Sequence, residues 1–435
     1  MIYAPEFESL PREELEQLQI ERLQTTLNRV VRNVEFYRRK FDELNIDINA
    51  ITSIRDLPSL PFTVKGDLND AYPYAMFAVP LKDVVRIHST SGATGRPLVV
   101  GYTRNDIEHW AELVARLLCA AGVTEHDFVQ VAFHYSLFTG GLGFHYGAEL
   151  LGASVVPSSE GSDMEKQIMI MKDYKITALI STPSFADKIA LSLKAEGVHP
   201  DSLHLKRGIF GAEPWSEKQR ARLEEALHIS AFDNYGVSEI MGPGIAFECE
   251  MKAGLHVSED HFIVEVVDPV TLALQPPGTV GELIFTTIAK EGFPLVRYRT
   301  GDLASLIPGA CPCGRTTARI SRIAGRTDDL IILKGVKFFP GQIGAILTGV
   351  EGVSPRYQIV LDKMHGADGI EVKVEVSEDL PFFDEIKKLE AMAGEIARTL
   401  KRKLNILPKV TLVEPNSLKG APGKKTDLVI DRRGE

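Results

Sequence analysis

Near the start of the chain, Leu15, Leu18, Leu23, Leu27, Val30, Val31 and Val34 recur among polar residues between Pro11 and Phe41. That period predicts an amphipathic helical region whose apolar face either covers the main core or meets a second copy of the chain. From Phe128 the pattern changes to short β-rich runs alternating with helical periods. Strands are expected at Phe128–Phe133, Ser154–Pro157, Ala178–Ile180, Arg207–Gly211 and Ser230–Tyr235, with helices at Gly143–Leu150 and Asp163–Tyr174. Alternation with short connections implies βαβ units: an α/β fold with a mainly parallel sheet flanked by helices. Ligands of such sheets sit beyond the carboxyl ends of the strands.

Between Val257 and Leu306 the runs become β-rich, as at Phe262–Val267 and Gly281–Thr287, and are punctuated by Pro276, Pro277 and Gly278. They predict a smaller β-rich subdomain within the large N-terminal part. Beyond Asp329 come a short apolar run, a helix from Gly341, strands near Tyr357–Leu361 and Ile370–Val376, a helix over Phe382–Leu404 and a strand at Val410–Val413. This describes a small α+β domain of ordinary size. The division expected is 1–327 and 328–435.

Composition removes several function classes. A chain of 435 residues with 44% hydrophobic and 25% charged positions is typical of a globular protein with more than one domain. Its net charge of -10 gives no basic footprint for nucleic acid. No apolar run reaches about 18 residues, and the first residues lack a basic stretch ahead of an apolar one, so a cytoplasmic protein that binds neither nucleic acid nor membrane is expected.

Four cysteines are too few for a disulfide framework in a chain of this length. Cys119 lies in an apolar helical stretch and reads as packing. Cys311 and Cys313 form a tight knuckle around Pro312, and Cys249 is followed by His256. Three thiolates and one imidazole make up the donor set of a structural zinc site, with His261 as an alternative to His256.

The most chemically suggestive segment runs from His88 to Pro97. Ser89, Thr90, Ser91 and Thr94 supply hydroxyls, Gly92 and Gly95 allow close backbone approach, and Arg96 adds a fixed positive charge. These are the groups that surround phosphate oxygens. The spacing is not that of a Walker loop, and Gly141 with Gly143 does not complete a dinucleotide fingerprint.

Three further segments follow in order: Asp233 to Glu239, Tyr298 to Leu303, and Gly325 to Asp329. With the first loop they resemble the acyl-adenylate-forming superfamily. Leu137 to Gly143, Gly211 to Trp215 and Glu259 to Phe262 resemble the phenylacetate-CoA ligase family within it, and the resemblance spans about Tyr37 to Arg433.

That resemblance implies an ATP- and Mg2+-dependent ligase in phenylacetate catabolism, joining an aryl carboxylic acid to coenzyme A through an acyl-adenylate and releasing AMP and pyrophosphate. It implies that Ser89 to Arg96 hold the outer phosphates, that Glu239 contacts magnesium beside Ser238, and that Gly211, Ala212, Glu213 and Pro214 line the base with Asp233, Asn234, Tyr235 and Gly236. Asp302 is implied to bind the ribose, and Arg326 to approach the nucleotide beside a hinge at Asp328. Lys424, with Lys425 as the alternative, is implied to be the mobile catalytic lysine, and Tyr135, Phe138, Gly140 and Phe144 to line the acid pocket. His134 and Ser136 stand where small residues are usual, which leaves the aryl acid open. Other acceptors, a phenolic deazaflavin or a carrier protein, remain as alternatives, as does a nucleotide-binding regulator without turnover.

Overall fold

The computed structural model describes residues 1–90, 97–161, 163–329, 331–333, 336–338, 340–347, 349–350, 352–364, 367–377, 386–415, 417–418 and 428–432. The chain divides into two compact units, Met1–Arg322 and Ile323–Glu435.

The first unit opens with α1 (Pro5–Glu8), α2 (Arg12–Asn33) and α3 (Glu35–Glu43). The amphipathic region is therefore two long helices, broken where Val34 takes an extended conformation with φ -116° and ψ 107°. Leu15, Leu23, Leu27, Val30 and Val34 are wholly buried within the single chain. Each contributes roughly 1.5–3 kcal/mol by leaving water. This face covers the unit's own core, so it is not available as a dimer contact.

After α4 (Lys65–Asp70), strands β1 (Arg86–Ser89) and β2 (Val99–Tyr102) form an antiparallel hairpin. Helix α5 (Arg104–Ala120) begins with a reciprocal cap, in which Thr103 and Asp106 satisfy each other's backbone N–H. Then come β3 (Phe128–Val131), α6 (Gly140–Leu151), β4 (Ser154–Val156), α7 (Met164–Asp173), β5 (Ala178–Ser181), α8 (Pro183–Ala195), β6 (Arg207–Gly211), α9 (Glu217–Leu227) and β7 (Ser230–Val237). The β/α alternation read from the sequence is present. Strands β4, β3, β5, β6 and β7 are parallel neighbours in that order. Ile168, Met171, Phe185, Ile189, Phe210, Trp215, Leu223 and Leu227 bury helices α7 to α9 against this sheet.

The same sheet continues antiparallel through β8 (Gly242–Glu248) and β9 (Leu255–Val257). The β-rich subdomain is the antiparallel set β10 (Phe262–Val267), β11 (Gly281–Thr287) and β12 (Tyr298–Ala304). Short strands β13 (Leu306–Ile307) and β14 (Arg319–Ile320) then return to the large sheet, β14 pairing with β9.

In the second unit β15 (Gly325–Arg326) precedes the hairpin of β16 (Ile331–Leu333) and β17 (Val336–Phe338), and then α10 (Pro340–Leu347). Strands β18 (Val353–Met364) and β19 (Ala367–Val376) pair antiparallel; β20 (Lys409–Val413) and β21 (Val429–Asp431) run parallel to β19 and β18. Helix α11 (Ile386–Leu404) brings Ile396 and Leu400 into a core with Ile343, Leu361, Val372 and Val374. Its last turn carries Lys401, Arg402 and Lys403, exposed at the negative end of the helix dipole. This is the α+β domain expected. Among the described residues, no helix is long and apolar enough to cross a membrane.

Candidate active site

The hydroxyl-rich segment begins at the end of β1, which pairs antiparallel with β2. Thr90 closes its base: its N–H donates to the Leu98 carbonyl at 3.2 Å, and its Oγ1 accepts from the Leu98 N–H at 3.1 Å. Ser89 is anchored by its N–H to the Leu137 carbonyl at 2.9 Å. Ser91, Gly92, Thr94, Gly95 and Arg96 lie outside the described residues, as do Lys424 and Lys425.

At the carboxyl end of β6, Ala212, Glu213 and Pro214 are exposed. Ala212 has φ +66°, a left-handed conformation that costs a residue with a Cβ about 1–3 kcal/mol. Glu213 holds this strained turn in place, accepting from Ser184 Oγ at 2.9 Å and from the Ser184 N–H at 3.2 Å in the first turn of α8. Its carboxylate is thus used on protein, which leaves the backbone to face a ligand. Beside it, Asn234 donates through Nδ2 to the Phe210 carbonyl at 2.8 Å and ties β7 to β6.

Tyr235 is 7% exposed, stacked on Phe285 at 6.0 Å, and donates its hydroxyl to Asp302 Oδ2 at 2.8 Å. Two residues far apart in sequence are therefore joined, one from the large sheet and one from β12. Asp233 sits deeper. Burial pushes its carboxyl up to about 7, with the Glu248 charge adding to the effect.

The turn after β7 carries Glu239, 9% exposed, with the Tyr298 hydroxyl 3.5 Å from Oε1. Ser238 Oγ lies 3.1 Å from Thr139 Oγ1, which links this turn to the start of α6. Three side chains outside the expected set hold the residues that follow: Lys290 Nζ donates to the Ile240 carbonyl, Tyr102 to that of Met241 and Trp110 to that of Pro243, at 2.6, 2.8 and 3.0 Å. Nothing in their sequence spacing announces this convergence, because it arises from three separate elements.

Phe133 to Gly140 follow β3. Tyr135 Oη lies 3.3 Å from His145 Nδ1, and burial, with the Glu149 charge adding to it, pushes the phenol well above its ordinary range. Phe138 is 37% exposed. Phe144, by contrast, is 1% exposed and stacked on Phe133 at 5.7 Å, so it backs this segment from the core. A Cβ at Gly140 would lie 3.3 Å from both Phe133 and Phe138. Gly143 and Gly147 serve packing: a Cβ there would fall 2.5 Å from Trp110 and 2.4 Å from Val114, so their absence of side chain lets α6 lie directly on α5.

In the second unit, Arg326 Nε donates to Asp328 Oδ1 at 3.0 Å. The residues expected to mark the hinge and to approach the nucleotide are partners there.

Away from the strand ends, Cys249, His256, Cys311 and Cys313 bring their ligand atoms within 4.8 Å of one another. Cys249 Sγ is 3.7 Å from Cys311 Sγ, and Cys313 Sγ is 3.4 Å from His256 Nε2. Tetrahedral zinc with sulfur at about 2.3 Å sets sulfurs roughly 3.8 Å apart, so the spacing fits. His256 Nδ1 is 3.2 Å from Thr317 Oγ1, which turns Nε2 to the cluster. Burial, with Arg315 and Arg319 nearby, pulls the imidazole down to about 3, keeping it a neutral ligand. Burial also pushes the metal-free Cys249 thiol up to about 12, beside the other two thiols. His261 lies outside the cluster: its Nδ1 is 2.9 Å from Asp260 Oδ2, and its ring packs 5.1 Å from that of His109. The fourth position is therefore His256. Cys119 is buried packing, 7% exposed.

An ionic scaffold invisible in the sequence surrounds the knuckle. Arg315 Nε donates to Glu8 Oε2 at 2.5 Å and Nη2 to the Met1 carbonyl at 2.7 Å. Arg12 grips both oxygens of Glu259 at 2.9 and 3.0 Å.

Residues 16–288 match the AMP-binding enzyme family and residues 335–433 the AMP-binding enzyme C-terminal domain. The chain thus belongs to the AMP-binding enzyme family. It is 46% identical to phenylacetate-coenzyme A ligase of Thermus thermophilus over 100% of both chains. It is 44% identical to that of Pseudomonas putida over 96% of this chain and 94% of the relative. Among solved structures, 2-hydroxyisobutyryl-CoA ligase in the postadenylation state with 2-HIB-AMP is similar with a TM-score of 0.87 at 29% identity, covering 99% of this chain and 92% of that one. The chain belongs to the phenylacetate-CoA ligase family.

Proposed function

We propose that this protein is an ATP-dependent aryl-acid:CoA ligase, with phenylacetate as its substrate, working in the cytoplasm. The observation that carries the reading is the Tyr235 to Asp302 bond beside Glu239, together with full-length similarity to phenylacetate-CoA ligases. A carboxylate is a poor electrophile because it has no good leaving group. In the first step the acid oxygen attacks the α-phosphorus and pyrophosphate leaves. In the second, the coenzyme A thiol attacks the acyl carbon and AMP leaves.

The protein contributes position and charge to both steps. Ser89 to Arg96 surround the outer phosphates as charge builds on pyrophosphate. Tyr235 and the Gly211 to Pro214 turn flank the base, and Asp302 accepts from the ribose hydroxyls. Glu239 would hold a magnesium ion through a carboxylate oxygen, and that ion would offset phosphate charge. Lys424 offsets the repulsion between the acid carboxylate and the α-phosphate. Arg326 approaches the nucleotide beside a hinge at Asp328, at the start of a mobile domain. Tyr135, Phe138 and Gly140, backed by Phe144, form the wall for a flat acid.

Cys249, His256, Cys311 and Cys313 hold structural zinc. Three reduced thiols in one cluster suit a reducing compartment. Metal analysis of protein purified without added metal should find one zinc per chain, and sub-stoichiometric zinc would remove this assignment.

Release of AMP and pyrophosphate across phenylacetate, indoleacetate, benzoate and acetate, each with and without coenzyme A, tests the catalytic reading. Thioester formation is expected with the arylacetates. Pyrophosphate release with no thioester would keep the adenylating core and move the search to another acceptor.

A further inference from the structure

Lys290 is among the largest fully buried side chains in the protein, 2% exposed. An ammonium group taken out of water costs several kcal/mol unless something repays it. The Ile240 carbonyl accepts from Nζ at 2.6 Å, and Nζ lies over the faces of two rings, Tyr102 at 4.3 Å and Phe293 at 5.6 Å. Burial pulls the Lys290 ammonium down to about 7, against the nearby negative charges of Asp106 and Glu239, which favour the charged form. Asp106 also accepts from the N–H groups of Glu291 and Gly292, at 2.7 and 2.9 Å, which fixes the segment next to Lys290.

The acceptor is the residue directly after Glu239. Tyr102 and Trp110, stacked on each other at 5.2 Å, hold the carbonyls of Met241 and Pro243. His88 packs edge-on against both rings at 5.4 Å, immediately before Ser89 of the hydroxyl-rich loop. Through this aromatic stack, the Glu239 turn and the base of the phosphate loop share one rigid support. Of these three donors Lys290 acts closest in the chain to Glu239, because its acceptor Ile240 directly follows that residue.

We infer that Lys290 is a positioning residue for adenylation, fixing through its hydrogen bond to the Ile240 carbonyl the geometry in which Glu239 meets the magnesium-bound phosphates of ATP. The inference rests on the ligase reading. It goes further by separating the two half-reactions: the first needs the phosphate-bound cation, whereas thioester formation from acyl-adenylate involves no pyrophosphate.

The test compares wild type with Lys290→Met, which keeps length and apolar contacts, and Lys290→Arg, which keeps charge and donor. Loss of a group that orients a metal ligand commonly costs about 10–100-fold. Lys290→Met is expected to lower pyrophosphate release from ATP and arylacetate by that factor of about 10–100. Thioester formation from supplied arylacetyl-AMP and coenzyme A should stay within about threefold, and Lys290→Arg should recover part of the loss. Calorimetric titration with ATP, with and without magnesium, gives a readout independent of turnover: the tightening by magnesium should shrink in Lys290→Met. Equal loss in both half-reactions, or an unchanged magnesium increment, overturns the inference. Should wild type form no thioester at all, the ligase reading fails, while the titration still decides the role of Lys290.

Discussion

The Cys/His cluster and the strand-end site are both polar islands in the same folded unit, yet they are built by opposite rules. In the cluster, the four ligand atoms converge on one another, and the surrounding ion pairs close it with the N-terminal segment. At the strand ends, side chains are held from behind. Glu213 is tied to α8, Asn234 to β6, and the Glu239 turn to Lys290, Tyr102 and Trp110. The first arrangement makes a staple. The second fixes a rigid backing from which backbone and hydroxyl groups face a substrate, and the difference implies that damage to one should appear in stability and to the other in rate.

The sharpest way to break that contrast is Glu8→Ala. Glu8 and Arg315 are 3% and 1% exposed at their side chains, and removing one partner of a buried pair costs about 3–5 kcal/mol. Thermal unfolding should shift strongly downward while the ATP KM of the folded fraction stays unchanged; a raised KM would mean the staple reaches the active site. Lys424→Ala should do the reverse, cutting adenylate formation about 10²–10³-fold with little change in melting temperature. Measuring pyrophosphate release and unfolding on the same preparation separates the two.

Tyr235→Phe is smaller. It deletes the hydroxyl bonded to Asp302 and keeps the ring, so about 0.5–1.5 kcal/mol is expected, read as a several-fold higher KM for ATP. Smallest is a pH effect on the structural side. Despite burial, His261 and Arg116 hold the Asp260 carboxyl well below its usual range. A carboxyl depressed in the folded state stabilises the protein above the unfolded value of about 3.9, and that stability is lost as pH falls through the lower folded value. Asp260→Asn should therefore flatten the acid limb of a stability profile, and an unchanged acid limb would show that Asp260 does not set it.

What the sequence disclosed divides along the same line. The β/α alternation from Phe128 to Tyr235 was legible because each strand is a short apolar run between helical periods. The donor set of the cluster was legible because cysteine is scarce, though choosing His256 over His261 needed the β8 to β9 register that pairs Phe247 with His256. The antiparallel strand β8 was not anticipated, since Gly242, Pro243 and Gly244 are residue types that disfavour a strand interior. In the structure Gly242 and Gly244 take φ +117° and +98° within the strand, pressed against Trp110 and Leu113. Lys290 was illegible too, since a lone lysine before a glutamate has no feature that predicts full burial.

The central claim is activation through an acyl-adenylate, and a rapid-quench single turnover with phenylacetate, ATP and magnesium but no coenzyme A tests it most directly. The account predicts phenylacetyl-AMP bound in proportion to active sites and converted to thioester when coenzyme A is added. Formation of ADP in place of AMP and pyrophosphate, or thioester synthesis with no acyl-adenylate on the path, would contradict it.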